Sequence, residues 1–215
     1  MTAFDLYIGN KNYSSWSFRP WIALRQKDIP FNEHLVPFDF ENGNPDFADF
    51  SPTMKVPVLK HGDLTVWDSL AILEYLADVH PEKGLWPSDL RERAWARAIS
   101  AEMHSGFFAL RSACPMNMRR PVEELIVGDD VKKDVARIVR IWTECLEASG
   151  GPFLFGDFTI ADAMFAPVVS RFLTYRLSAS PAAARYCEAV KSTPAWQAWE
   201  ADALKETWIV AAEEI

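Results

Sequence analysis

Two adjacent hydroxyls, Ser14 and Ser15, stand where a strand pattern hands over to a helix pattern. Free backbone N–H groups and the positive dipole end make a helix start attractive to an anion, and a hydroxyl adds one more hydrogen bond. Serine is also an ordinary helix cap, so the pair alone leaves site and cap both open. The second signal is Val56-Pro57. A proline inside a strand cannot donate to the ladder, so it sits at an edge or in a special bond. If that bond is cis, Val56 turns its N–H and C=O outward and can pair with an extended peptide. A plain edge-strand proline is the simpler reading of the dipeptide. The third signal is Asp68-Ser69, at a strand end and a helix start. Either residue caps a helix readily. The two also suit both ends of an amino acid, with Ser69 and the helix N–H groups taking a carboxylate and Asp68 an ammonium.

Other chemistries are excluded by pattern. There is no G-x-S-x-G elbow, C-x-x-C, H-E-x-x-H or G-x-G-x-x-G. The four histidines, His34, His61, His80 and His104, lack metal-ligand spacing, so no metal is expected. Ser14 and Ser15 have no evident histidine base, which argues against a serine hydrolase. A net charge of −8 argues against a nucleic-acid partner, which needs a basic face. It does not exclude a small anion, which feels only the local field. Cys114, Cys145 and Cys187 are odd in number and far apart, as suits reduced thiols. No signal-peptide pattern opens the chain and no apolar run has membrane-spanning length. A cytoplasmic protein with no membrane partner is expected.

The elements that must position these residues are readable. Phe4–Gly9 reads as a strand, and Ser17–Arg25 as a helix with Phe18, Trp21 and Ile22 at helical spacing. Residues 31–37 read as a second strand. Val56–Lys60 and Leu64–Trp67 read as a hairpin about His61-Gly62-Asp63. A helix pattern begins at Ser69. The order β-α-β, loop, β-β-α describes a small α/β layer. Residues 81–89, with two prolines and a glycine, read as a linker between units 1–80 and 90–215. Everything after the linker reads as helical. Val131, Val135, Ile138, Trp142 and Leu146 form an apolar stripe, stopped by Gly150-Gly151-Pro152. Thr159-Ile160-Ala161-Asp162 has capping-box spacing before a long apolar helix through Phe172. Short helices are expected over 181–191 and 194–206.

Taken together, Val56, Asp68-Ser69 and the paired serines describe one peptide-like ligand with a reactive anion. Here the chain resembles the soluble glutathione transferases over nearly its whole length. The resemblance is carried by Ser14-Ser15-Trp16-Ser17-Phe18-Arg19, Met54-Lys55-Val56-Pro57-Val58-Leu59, Asp68-Ser69-Leu70-Ala71-Ile72-Leu73-Glu74-Tyr75-Leu76 and Thr159-Ile160-Ala161-Asp162. The paired serines are most similar to the zeta class, with Trp16 in place of that class's cysteine and Arg19 kept. The resemblance implies a thioredoxin-like N-terminal domain, an all-helical C-terminal domain, a homodimer and glutathione as co-substrate. Ser14 or Ser15 would hydrogen-bond the glutathione sulfur. Val56, beside Pro57, would hold the cysteinyl backbone, and Asp68 with Ser69 the γ-glutamyl end. Lys55 lies close enough to help at the glycyl carboxylate.

The implied activity is a serine-type transferase that adds glutathione to a small hydrophobic electrophile. Its alternatives are a glutathione-dependent isomerase of an unsaturated diacid and a binding module with little catalysis. Trp16 would reshape the pocket beside the sulfur, and a single helical segment, Ala101–Arg111, would face that pocket. On it His104, Phe108 and Arg111 fall on one face, a candidate acceptor pocket with a cationic group. The same three residues are equally readable as core, interdomain and salt-bridged positions.

Overall fold

A computed structural model describes residues 3–215. The first strand, β1 (Phe4–Ile8), turns Phe4, Leu6 and Ile8 inward. It lies at the centre of a four-stranded sheet ordered β2-β1-β3-β4. Its parallel neighbour is β2 (Phe31–Leu35), with Phe4 opposite Phe31. Its antiparallel neighbour is β3 (Val58–His61), which pairs in turn with β4 (Leu64–Trp67). Gly62, at φ 63°, makes the tight turn of that hairpin, a conformation glycine adopts freely. A parallel pair needs a crossover, and α1 (Ser15–Gln26) supplies it, burying Phe18, Trp21, Ile22 and Leu24. After β4 comes α2 (Ser69–Val79), with Ile72, Leu73 and Leu76 buried.

Beyond a short turn at Pro81–Lys83, every regular element but one further turn is an α-helix. These are α3 (Leu90–Ser105), α4 (Phe108–Ala113), α5 (Asp129–Ser149), α6 (Ile160–Tyr175), α7 (Pro181–Lys191) and α8 (Pro194–Ala203). No helix among the described residues is long and apolar enough to cross a membrane. The central helix is α6, packed against both α1 and α3 and buried on nearly all sides. One apolar core therefore runs through both domains, from the sheet through α1 to α6 and α8. Phe18 and Trp21 of α1 meet Trp199 of α8 at 4.7 and 5.1 Å between ring centroids.

The expected capping box forms. Thr159 and Asp162 satisfy each other's backbone and side-chain groups at the start of α6. The Asp162 carboxylate also accepts hydrogen bonds from the Leu154 amide and the Tyr186 hydroxyl, at 3.1 and 3.0 Å. Burial pushes its pKa up to about 6, opposed by those donated bonds.

Three expectations on the elements are corrected. Ala101–Arg111 is not one helix, because α3 ends at Ser105 and α4 starts at Phe108. Gly106 caps α3 in an extended conformation and Phe107 adopts a left-handed one, φ 58°. The second strand stops at Leu35 rather than Pro37. The last helix ends at Ala203, and the following residues double back as a tail toward the serines.

Candidate active site

The loop between β1 and α1 delivers both serines, and they do different things. Ser14 is buried and caps α1, its hydroxyl accepting from the Ser17 amide at 3.4 Å and donating to the Ser17 hydroxyl at 2.7 Å. Ser15 opens the helix and is only half-buried. Among the described residues no hydrogen bond engages its hydroxyl. Both serines line a cleft of about 470 Å³.

Across that cleft stands Val56. The Val56–Pro57 bond is cis. Val56 lies outside β3, and among the described residues its N–H and C=O carry no hydrogen bond. Next to it Lys55 is exposed, its backbone tied on both sides to the Ser51 hydroxyl, at 3.0 and 2.6 Å.

A second cleft, of about 530 Å³, adjoins the first and shares Trp16, Lys55, Val56 and Arg111 with it. Pro57, Asp68, Ser69 and His104 line only this one. Asp68 holds a positive φ of 74°, a strained setting for a side-chain-bearing residue. One of its oxygens caps α2 through the Leu70 and Ala71 amides, at 2.9 and 3.2 Å. The other lies 3.2 Å from His104 Nε2. The cap reading is therefore realised by one oxygen, while the second faces the cleft wall. Ser69 is buried and accepts from the Arg19 guanidinium at 3.5 Å.

Trp16 forms the wall between the clefts. Arg19 lies 4.0 Å and Arg111 4.6 Å from its ring centroid, and His104 meets it edge-on at 5.3 Å. Such contacts hold an indole by attraction of a cation to the ring face. Phe108 is exposed in the first cleft, which excludes its reading as a core residue. Arg111 donates to the His104 and Gly106 carbonyls, at 3.3 and 3.2 Å, and so bridges the gap between α3 and α4. The helix break thus keeps His104, Phe108 and Arg111 on the two clefts although they do not share one helix face.

The electrostatics are one-sided. Arg19 is fully buried, and among the described residues no carboxylate lies within ion-pair distance of it. Burial, with Arg111 and Arg171 nearby, pushes its pKa well below the ordinary arginine value. Arg171 of α6 also lines the first cleft, held by the Cys114 and Pro167 carbonyls at 2.7 and 3.0 Å. Burial brings its pKa down to about 10. Glu213 of the tail lines the same cleft, its pKa raised by burial against the pull of Arg171. In a chain of net charge −8, Arg111 and Arg171 line the first cleft with Arg19 buried behind Trp16, and among the described residues none of the three is in an ion pair, so they bias the local field toward an anion against the single carboxylate of Glu213.

The pattern of the glutathione S-transferase N-terminal domain matches residues 13–79, and that of the C-terminal domain residues 117–201. The chain belongs to the glutathione S-transferase family. Its relatives within the family lie near the zeta class. It is 31% identical over 169 residues to a probable maleylacetoacetate isomerase of Caenorhabditis elegans, covering 78% of this chain and 79% of that one. It is 28% identical over 202 residues to glutathione S-transferase Z2 of Arabidopsis thaliana, covering 87% and 88%. A solved glutathione transferase homolog from Burkholderia, with bound glutathione, superposes with a TM-score of 0.72 at 25% identity, covering 92% and 96%. The thioredoxin-like sheet and the helical C-terminal domain expected for a glutathione S-transferase are both present.

Sequence reading missed several residues on the glutathione S-transferase clefts. Tyr13, Phe38, Phe40 and Phe47 line the first one, as do Arg171 and Glu213. Arg171 had a legible signal: it is the one basic residue in the largely apolar run from Ile160 to Tyr175, and buried charges are rare without a purpose. Glu213 had none, because its place is set by a tail with no regular pattern.

Proposed function

We propose that the protein is a glutathione transferase that lays the tripeptide along the two joined clefts and holds its sulfur as a thiolate beside Ser15. The carrying observation is the free Ser15 hydroxyl at a helix start, facing a groove on which Val56 offers an unpaired N–H and C=O. A free thiol has a pKa near 8.5 and is mostly protonated at neutral pH. The bound thiol releases its proton to solvent, and the Ser15 O–H and the dipole of α1 stabilise the sulfur anion left behind. That anion then attacks an electrophile in the first cleft, among Trp16, Phe38 and Phe108. Serine donates a hydrogen bond throughout and forms no covalent bond. Ser14 is engaged by Ser17 and serves as the cap.

The cysteinyl part pairs with Val56 as an added strand. The Asp68 carboxylate and Ser69 take the γ-glutamyl end, with His104 sharing Asp68. Lys55 reaches the glycyl carboxylate. The active form is a homodimer in the cytoplasm, as the family relationship and three buried reduced cysteines suit.

A second reading is favoured by one observation. Arg111 and Arg171 border the first cleft, and among the described residues no carboxylate is in ion-pair contact with either, which suits an acidic acceptor. The protein would then isomerise an unsaturated diacid, adding and releasing the thiolate without consuming glutathione. Calorimetry tests the shared premise: one glutathione site per chain is expected, weakened in Asp68→Asn, and no heat of binding would overturn it. Parallel assays with chlorodinitrobenzene and maleylacetoacetate separate the two readings. Turnover of neither, with glutathione bound, would leave a binding module.

A further inference from the structure

The loop that carries the serines, residues 9–14, lies between β1 and α1 and has no regular structure of its own. Its ties to the N-terminal domain are few. The Asn10 carbonyl turns the chain by accepting from Tyr13 and Ser14 amides, its side chain accepts from the Phe38 amide at 2.8 Å, and Lys11 reaches Glu33 at 2.7 Å. Gly9 and Ser14 at its two ends are tied to Ser17 of α1, at 3.2 and 2.7 Å, whereas the middle of the loop, Lys11 to Tyr13, is held mainly from the other domain. Glu206, nearly buried, accepts the Lys11 amide on one oxygen at 2.6 Å and the Asn12 amide on the other at 3.1 Å. Asp202 takes the Lys11 ammonium at 2.8 Å. The Asn12 side chain is closed by Asn117 and the Arg119 amide, at 3.0 and 2.9 Å. Arg119 donates to the Glu206 carbonyl at 2.5 Å and to the Tyr13 hydroxyl at 2.7 Å, and Tyr13 donates to Glu214 at 2.5 Å.

We infer that Glu206 is a positioning residue for the sulfur corner, which the C-terminal segment aims by clasping two consecutive backbone amides of the serine loop. The inference rests on the thiolate reading above. A hydroxyl stabilises an anion only within a narrow range of distance and angle. Ser15 follows the clasped amides by three and four residues, so a loop freed at Lys11 and Asn12 lets the start of α1 move relative to Val56. Only a carboxylate can accept both amides at once. A carboxamide keeps the shape but puts an N–H against an N–H on one side. The peptide-binding wall, Val56 with Asp68 and Ser69, has no such tie to Glu206, so the two functions separate on loss of the clasp.

The test compares two readouts in Glu206→Gln and Glu206→Ala. One is the pH midpoint of thiolate ultraviolet absorbance of bound glutathione. The other is the Kd of S-methylglutathione, which has no ionisable thiol. The inference expects the midpoint to rise by about one pH unit, while the S-methylglutathione Kd stays within about twofold. Glu206→Asp should return part of the shift. If the alanine variant does not fold, Arg119→Met loosens the same loop through Tyr13 and should shift the midpoint in the same direction. An unmoved midpoint in folded variants overturns the inference, as does a loss confined to S-methylglutathione affinity. A wild-type midpoint equal to that of free glutathione sinks the thiolate reading itself, a result distinct from either.

Discussion

The two serines divide a task that their adjacency hides. Ser14 spends its hydroxyl on Ser17 and the helix start, while Ser15 keeps its own free at the cleft. Ser14→Ala should therefore lower stability by about 1 kcal/mol, the usual worth of a cap, read as a lower urea midpoint with glutathione affinity retained. Arg171 makes a sharper case. It is buried, charged at neutral pH, fixed by two carbonyls and open to the first cleft. Arg171→Met should raise KM for an acidic acceptor by about tenfold or more, the worth of one charge-assisted hydrogen bond. Turnover of neutral chlorodinitrobenzene should change far less. Equal losses for both acceptors would show that Arg171 supports α6 and does not select substrate.

The break between α3 and α4 shapes the side of the first cleft that carries Phe108 and Arg111. A Cβ at Gly106 would sit 2.7 Å from the Glu102 carbonyl oxygen, a rigid backbone atom. Gly106→Ala should thus destabilise by about 1–3 kcal/mol, and thermal unfolding would register it. A Cβ at Gly9 would instead meet the tip of the Phe38 ring at 2.5 Å. That ring lines the first cleft and is only partly buried, so displacing its tip in Gly9→Ala should alter acceptor KM more than stability. Much of this architecture was legible in the sequence because its signals are local: a strand ended by Gly9, a hairpin at Gly62, a capping box at Thr159. The candidate site was legible where two elements meet in sequence, at Ser14-Ser15, Val56-Pro57 and Asp68-Ser69. The Gly106 break was hidden because His104, Phe108 and Arg111 keep helical spacing across it and a single glycine is tolerated inside a helix. Glu206, Glu213 and Tyr13 were hidden because their partners lie far away in sequence, and no local pattern encodes such contacts.

One core and one groove tie the two domains together. Phe18 from the first domain stacks on Trp199 of the second while Trp21 meets it edge-on, and Lys11 is held by Glu33 and Asp202 at once. Urea unfolding followed by tryptophan fluorescence and by circular dichroism should therefore give one coincident transition; two separated transitions would mean the domains are independent. The capping box sets a pH signature for the whole fold. Asp162 is raised to about 6 when folded, against 3.8 as the ordinary value. Its favourable contribution is then complete below about pH 4 and fades as pH rises through about 6, a change of about 3 kcal/mol. Replacing it by asparagine should flatten the stability profile between those limits, measured as urea midpoints against pH. A profile of unchanged slope would mean that the four donated hydrogen bonds hold Asp162 near its ordinary value.

The central claim is that a serine hydroxyl at the head of α1 holds glutathione as a thiolate. Thiolate absorbance of the bound tripeptide, titrated against pH in the wild type, Ser14→Ala and Ser15→Ala, tests it most directly. The account predicts a wild-type midpoint well below that of free glutathione, a rise of about one to two pH units in Ser15→Ala, and little change in Ser14→Ala. A midpoint that stays in place in Ser15→Ala, or moves only in Ser14→Ala, would contradict it.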